Sequence, residues 1–197
     1  MSANAFAVLD RVDPSLWLVT AQAGPRRGGL IATFVTSASI VPEMPRVLVG
    51  LARQHYTWDL VEASGAFTLH QLGERHLEWV WHFGLASGRG ADKLAGLHVT
   101  AGKTGSPRLP DAPGWLECEV EARLETGDRT VYLAAVVDAG AAAPEPLLTT
   151  KRILELAPPE MKRRLKEMLT HDAAVDAAAI RAWRGGLTAT PPPGGST

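Results

Sequence analysis

The chain has 197 residues, 46% apolar and 21% charged, with a formal net charge of −1. That is enough for one domain with its own core, or one domain plus an appendage, and it gives no bulk electrostatic attraction toward nucleic acid or an anionic membrane. One cysteine, Cys118, excludes an internal disulfide and a thiolate metal cluster within a single chain.

The N-terminus lacks a basic region followed by a long apolar core, and no apolar run reaches membrane-spanning length, so a soluble cytoplasmic protein is expected. Residues 15–22 read as a strand, with Leu16, Trp17, Leu18, Val19 and Thr20. Residues 23–27 read as a turn, and 28–39 as a second extended segment carrying Ile31, Thr33, Val35 and Thr36. The nearly all-apolar run 45–52 suits a strand covered on both faces. A short helix fits 57–64, with Thr57 as N-cap and Gly65 as its stop. Residues 66–72 alternate like a strand, and 75–86 fit a helix through Leu77, Val80, Trp81 and Leu85. Residues 87–91 break it, and 102–114 form a long connection rich in proline and glycine.

Residues 115–125 and 129–139 make a hairpin across Thr126-Gly127-Asp128. About six strands with short connections point to a mainly β fold, an antiparallel barrel with peripheral helices. The C-terminal part changes character. Pro158-Pro159 opens a charged helix over 160–169, and an alanine-rich helix over 172–184 ends at Gly185-Gly186. The expected organisation is a domain over 1–150, a helical extension over 151–186 and a flexible tail over 187–197.

Several motifs are excluded. No G-x-G-x-x-G follows an early strand, and Gly102-Lys103-Thr104 lacks the earlier glycine of a P-loop, with Leu97 at that position. The six histidines include no H-x-x-x-H pair, so no metal site is expected. His70 reads as a satisfied strand histidine.

The segment from Gly29 to Pro42 (Gly-Leu-Ile-Ala-Thr-Phe-Val-Thr-Ser-Ala-Ser-Ile-Val-Pro) resembles the flavin reductase-like family, with Gly29, Ala32, Thr33, Ser37, Ser39 and Pro42 in register. The apolar run ending in Arg53, the turn Gln54-His55-Tyr56-Thr57 and Leu60-Val-Glu-Ala-Ser-Gly-Ala-Phe67 are similar to the segments that follow in that family. Asp92-Lys93-Leu94, Leu116-Glu-Cys118 and Gly127-Asp-Arg-Thr-Val-Tyr132 extend the likeness, which covers residues 13–139. Four departures stand out: Ile31 where threonine is common, Val41 in place of an acidic residue, Glu43-Met44 between two prolines, and Arg129 where histidine is frequent.

The resemblance implies a split β-barrel of Greek-key type, a homodimer with flavin near the subunit interface, and hydride transfer from NADH or NADPH to FMN or FAD. A flavin-dependent oxygenase is an implied recipient of the reduced flavin. A flavin phosphate needs donors and a cation, which Arg53, His55 and Thr57 supply; the ribityl chain needs hydroxyls, which Thr33, Thr36, Ser37 and Ser39 supply. Ile31, Ala32 and Phe34 suit a slot for the ring, Lys93 can reach the cofactor or the nicotinamide, and His82 and Phe83 are further lining candidates. No side-chain acid or base is required, because the flavin carries the chemistry. Two other readings stay open: an FMN electron carrier without nicotinamide turnover, and a non-flavin binding or assembly protein on the same barrel.

Overall fold

A computed structural model describes residues 2–189. Helix α1 (Ser2–Leu9) comes first and is not among the elements the sequence pattern marks. Strands β1 (Trp17–Ala23), β2 (Arg26–Ala32), β3 (Val35–Ser37) and β4 (Arg46–Ala52), helix α2 (Tyr56–Ser64) and β5 (Ala66–Gln71) follow. A 3-10 turn (Glu74–His76) leads into α3 (Leu77–Gly84). Short strands β6 (Thr100–Ala101) and β7 (Pro107–Arg108), the long hairpin β8 (Gly114–Glu125) and β9 (Arg129–Ala141), α4 (Thr150–Leu156) and α5 (Pro159–Ala189) complete the chain.

Seven strands form one antiparallel sheet in the order β2-β1-β5-β8-β9-β4-β3. Its two edge strands, β2 and β3, are consecutive in the chain and separated only by Thr33 and Phe34. The sheet must therefore curl until its edges meet at that crossover. Among the described residues β2 pairs with β1 and β3 with β4, but not with each other. The result is a split barrel, as expected. The extended segment 28–39 is thus two strands on opposite edges. Strands β6 and β7 pair as a separate ribbon inside the expected loop.

Successive strand residues face opposite sides. Val19, Leu69, Phe67, Val49 and Tyr132 fill the barrel interior, into which α2 drives Leu60 and Val61. Leu18, Leu72, Val80, Phe83, Leu109 and Ile153 form a second cluster outside the sheet. Each fully buried Leu or Phe contributes roughly 1.5–3 kcal/mol. Strand β5 lies between the two clusters and is buried from Ala66 to His70, which overrides the expected one-sided alternation.

Two helix boundaries differ from the sequence reading. The N-cap of α2 is His55, and Thr57 lies within the first turn with a buried side chain. The C-terminal region is one helix, not two. Nothing between residues 169 and 172 breaks it, and Gly185 and Gly186 keep helical backbone without the positive φ of a stop. Of the tail expected over 187–197, residues up to Ala189 belong to α5; the rest lie outside the described residues.

Helix α5 packs on the tip of the β8–β9 hairpin. Gly127 has φ +95°, and a Cβ there would lie 2.7 Å from Trp183 Cβ, so the contact requires glycine. Arg129 Nη2 pairs with Asp176 Oδ2 at 2.9 Å and its Nε with Asp128 at 3.1 Å.

Candidate functional site

Three segments pack against one another: the β2–β3 crossover, the turn from β4 into α2, and residues 83–93. A Cβ at Gly29 would meet Phe83 Cδ1 at 3.1 Å and one at Gly84 would meet Ile31 Cγ1 at 3.5 Å, so α3 lies on β2. A Cβ at Gly28 or at Gly88 would lie 3.2 or 3.0 Å from Tyr56 Cδ1, so Tyr56 of α2 is set between them. Arg27 pairs with Asp92 at 2.7 Å, and Arg89 with Asp59 at 2.6 Å, fastening the 83–93 segment to β2 and to α2. Phe34 O accepts Gly50 N–H, in the register that sets Val35 opposite Val49. The same register aims the end of β4, and so Arg53, back toward the crossover.

The expected site residues separate into groups. Ala32 is buried in the barrel wall and Ile31 is half-buried against α3. Thr33, Thr36 and Ser37 are exposed, and Thr33 lies outside both ladders. The Ser37 hydroxyl donates to Ser39 O at 3.1 Å, while Val41 N–H donates to the Ser39 hydroxyl at 3.1 Å, which shapes the loop after β3. Arg53 is turned to the β8–β9 hairpin: it lies 3.6 Å from Glu125 and 5.4 Å over the Trp58 ring. His55 caps α2 with backbone alone, and no side chain caps the helix. Trp58 N–H donates to His55 O at 3.0 Å, which leaves the N–H groups of Tyr56 and Thr57 as donors at the positive end of the helix dipole. Burial holds the His55 imidazole below its ordinary value; Asp172 and Asp176 oppose that, and Arg129 and Lys93 add to it.

Lys93 is 5% exposed. Its Nζ donates to Phe83 O at 2.9 Å, and no carboxylate pairs with it among the described residues. Burial alone pushes it down to about 8, so the ammonium is largely charged at neutral pH. His82 Nε2–H donates to Lys93 O at 2.7 Å. These two reciprocal bonds clamp both ends of the 84–92 loop. Lys93 keeps two N–H donors for another partner. A buried cation without a counter-charge, in electrostatic reach of an uncapped helix start, suits an anionic group such as a flavin phosphate.

The flavin reductase like domain matches residues 9–154. The chain belongs to that family. Diflavin flavoprotein A 1 of Synechocystis is 32% identical over 140 residues, 71% of this chain and 24% of that protein. This flavin reductase-like chain thus spans about a quarter of the length of that relative. The NADH:FAD oxidoreductase SgcE6 of Streptomyces globisporus superposes with a TM-score of 0.66 at 23% identity, over 75% of this chain and 87% of that one. Nitrilotriacetate monooxygenase component B of Mycobacterium thermoresistibile gives 0.65 at 22%, over 75% and 81%. These two likenesses establish the shared fold. Family membership carries a flavin-related oxidoreductase role.

Other groups in this flavin reductase-like chain do not offer chemistry of their own. Burial, and then Glu117, push the Cys118 thiol up to about 12, so it is inert. No His, Cys, Asp and Glu cluster suited to a metal occurs among the described residues. Tyr56, Asp59, Arg89 and the α5 carboxylates are residues the sequence reading misses. Tyr56 stands inside the turn that the resemblance marks, but nothing local signals that Arg89 folds back on it at 5.7 Å.

Proposed function

We propose that the chain binds FMN, or the FMN portion of FAD, between the β2–β3 crossover, α2 and the 83–93 segment, and serves as an NAD(P)H-dependent flavin oxidoreductase. The observation that carries the reading is the buried Lys93 ammonium, which has no carboxylate partner among the described residues and whose charge reaches His55, the N-cap of α2. The bound flavin would accept the hydride from NADH or NADPH. The chain's own part is binding and orientation. Lys93 and the first-turn N–H groups would hold the phosphate. Thr33, Thr36, Ser37 and Ser39 would face the ribityl chain, and Ile31 and Ala32 would border the ring. Thr57 contributes its backbone, and Arg53 would reach the phosphate only by leaving Glu125.

A second copy of the chain is supported by exposed apolar residues beside the crossover: Ile40 is 100% exposed, with Phe34, Val41 and Met44 also open. A homodimer with flavin at its interface would cover them. A flavin-dependent oxygenase is the proposed recipient of reduced flavin, in line with the component B relative. One free buried cysteine suits a cytoplasmic location. Arg129 is committed to Asp176 and Asp128, which favours a second reading, an FMN electron carrier without nicotinamide turnover.

The purified protein should take up FMN, with absorbance near 450 nm (roughly, as for flavins generally). A chain that takes up neither FMN nor FAD refutes the site. Anaerobic bleaching by NADH or NADPH should follow; failure with both donors leaves the carrier reading in its place.

A further inference from the structure

Helix α5 forms one wall of an open groove of about 600 Å³. Arg53, Gln54 and Trp58 line it from the start of α2, and Asp176, Ala179 and Trp183 from α5. Its walls are fixed by specific contacts. The hairpin tip admits α5 only because residue 127 is glycine, and Arg129 ties down Asp176 at 2.9 Å. The Gln54 side-chain nitrogen is shielded from solvent and has no hydrogen-bond partner among the described residues. Such an orphaned donor calls for an acceptor that the chain itself does not supply.

The groove adjoins the proposed flavin site. Both use the turn into α2, and His55 lies within the fields of Lys93 and of Asp172 and Asp176. The donor set is not that of a phosphate pocket. Two indoles give aromatic walls, and the Arg53 guanidinium lies 5.4 Å over one of them. The Gln54 carboxamide and the Asp176 carboxylate, whose Oδ2 is held by Arg129, complete it. A planar base with amino and ring-nitrogen edges, carried on a ribose, matches this set: it stacks on indole or guanidinium and bonds the polar rim. FMN ends at its phosphate and brings no such group.

We infer that this groove takes the adenosine half of a dinucleotide whose other end lies in the flavin site. The inference rests on the flavin reading above. Two molecules share the chemistry, FAD and the nicotinamide donor. The appended helix then serves as part of the ligand-binding surface, not only as an exposed extension.

The test compares wild type with Trp183→Ala and Gln54→Leu. Binding of FMN and of FAD to apoprotein is read by flavin fluorescence, and binding of NAD⁺ or NADP⁺ to the FMN-loaded protein by calorimetry. Loss of one base–aromatic contact should weaken an adenosine-bearing ligand by about tenfold. If FAD loses affinity in both variants while FMN holds its own, the adenosine is that of the flavin. If FAD and FMN behave alike and the nicotinamide dinucleotide weakens, it is that of the donor. Unchanged binding of all ligands in both variants, or equal loss for FMN and FAD without an effect on the dinucleotide, overturns the inference while the flavin site stands. A wild-type chain that binds no flavin sinks both readings. Gln54→Leu keeps the test sound if Trp183→Ala loosens α5.

Discussion

Two of the bases buried among the described residues are treated in opposite ways. His70, on β5, is fully enclosed, yet both ring nitrogens are used: Nδ1–H donates to Leu18 O at 3.1 Å, and Nε2 accepts Leu109 N–H at 3.0 Å. Lys93 is almost as enclosed, but among the described residues it has one carbonyl partner, the Phe83 ring at 5.9 Å and no counter-charge. The first arrangement is complete and neutral, and it ties the β6–β7 region to the sheet. The second is incomplete without an anion. Burial alone therefore does not mark a functional group; unmet demand for a partner does.

The comparison can be broken by substitution. His70→Leu should cost about 3 kcal/mol or more, because it orphans a buried carbonyl and a buried N–H at about 1–3 kcal/mol each. Urea titration measures it, and flavin affinity should be unchanged. Acid gives an effect of similar size. The folded state holds His70 near 4, against about 6.5 when unfolded, so the unfolded chain binds the extra proton. That contribution is present above pH 6.5 and disappears between there and about pH 4, a loss of about 3 kcal/mol from this residue. Denaturation midpoints at pH 7 and 4.5 should show it, with a smaller difference in the Leu variant.

Lys93→Met should weaken FMN by about tenfold to a hundredfold, the range of a charge-assisted bond, and riboflavin far less. The same substitution should leave the apoprotein more stable by about 1–2 kcal/mol, because it removes a buried cation that has no counter-charge among the described residues. A destabilised Met variant with normal FMN binding would make Lys93 a structural residue like His70. Raising the pH sharpens the contrast. Lys93 near 8 binds phosphate only when protonated, so FMN affinity should hold below pH 8 and fall by up to about tenfold per unit above it, as measured from pH 7 to 9.5. Asp92→Asn should do least: the Arg27–Asp92 pair is exposed, and its loss should cost less than about 1 kcal/mol.

Much of the barrel was legible because strand patterning is local. Trp17 to Ala23, Arg46 to Ala52 and the hairpin around Gly127 follow directly from β-branched and apolar runs punctuated by turn residues. The proposed site was legible in part. The Gly29–Thr57 spacing marks two of the three segments that the proposed site uses, and Lys93 stood out only by resemblance. Arg53, the cation chosen for the phosphate, is turned instead to Glu125 and Trp58, since a side chain's rotamer answers to neighbours distant in sequence. The C-terminal helix was split because its composition changes near residue 170 while its backbone does not, and its end was set early because Gly185-Gly186 stops a helix only where the chain takes positive φ.

By itself, then, the sequence determined most of the strands, the turn glycines and the family, all properties of short windows. Tertiary structure decided which polar groups remain without partners. It joined β2 and β3 across Thr33 and Phe34 to close the barrel, sealed Lys93 under Phe83 and His82, and laid Asp176 and Trp183 of α5 beside the turn into α2. The physical reason is that burial and charge depend on everything that surrounds a group, and those surroundings are assembled from segments far apart along the chain.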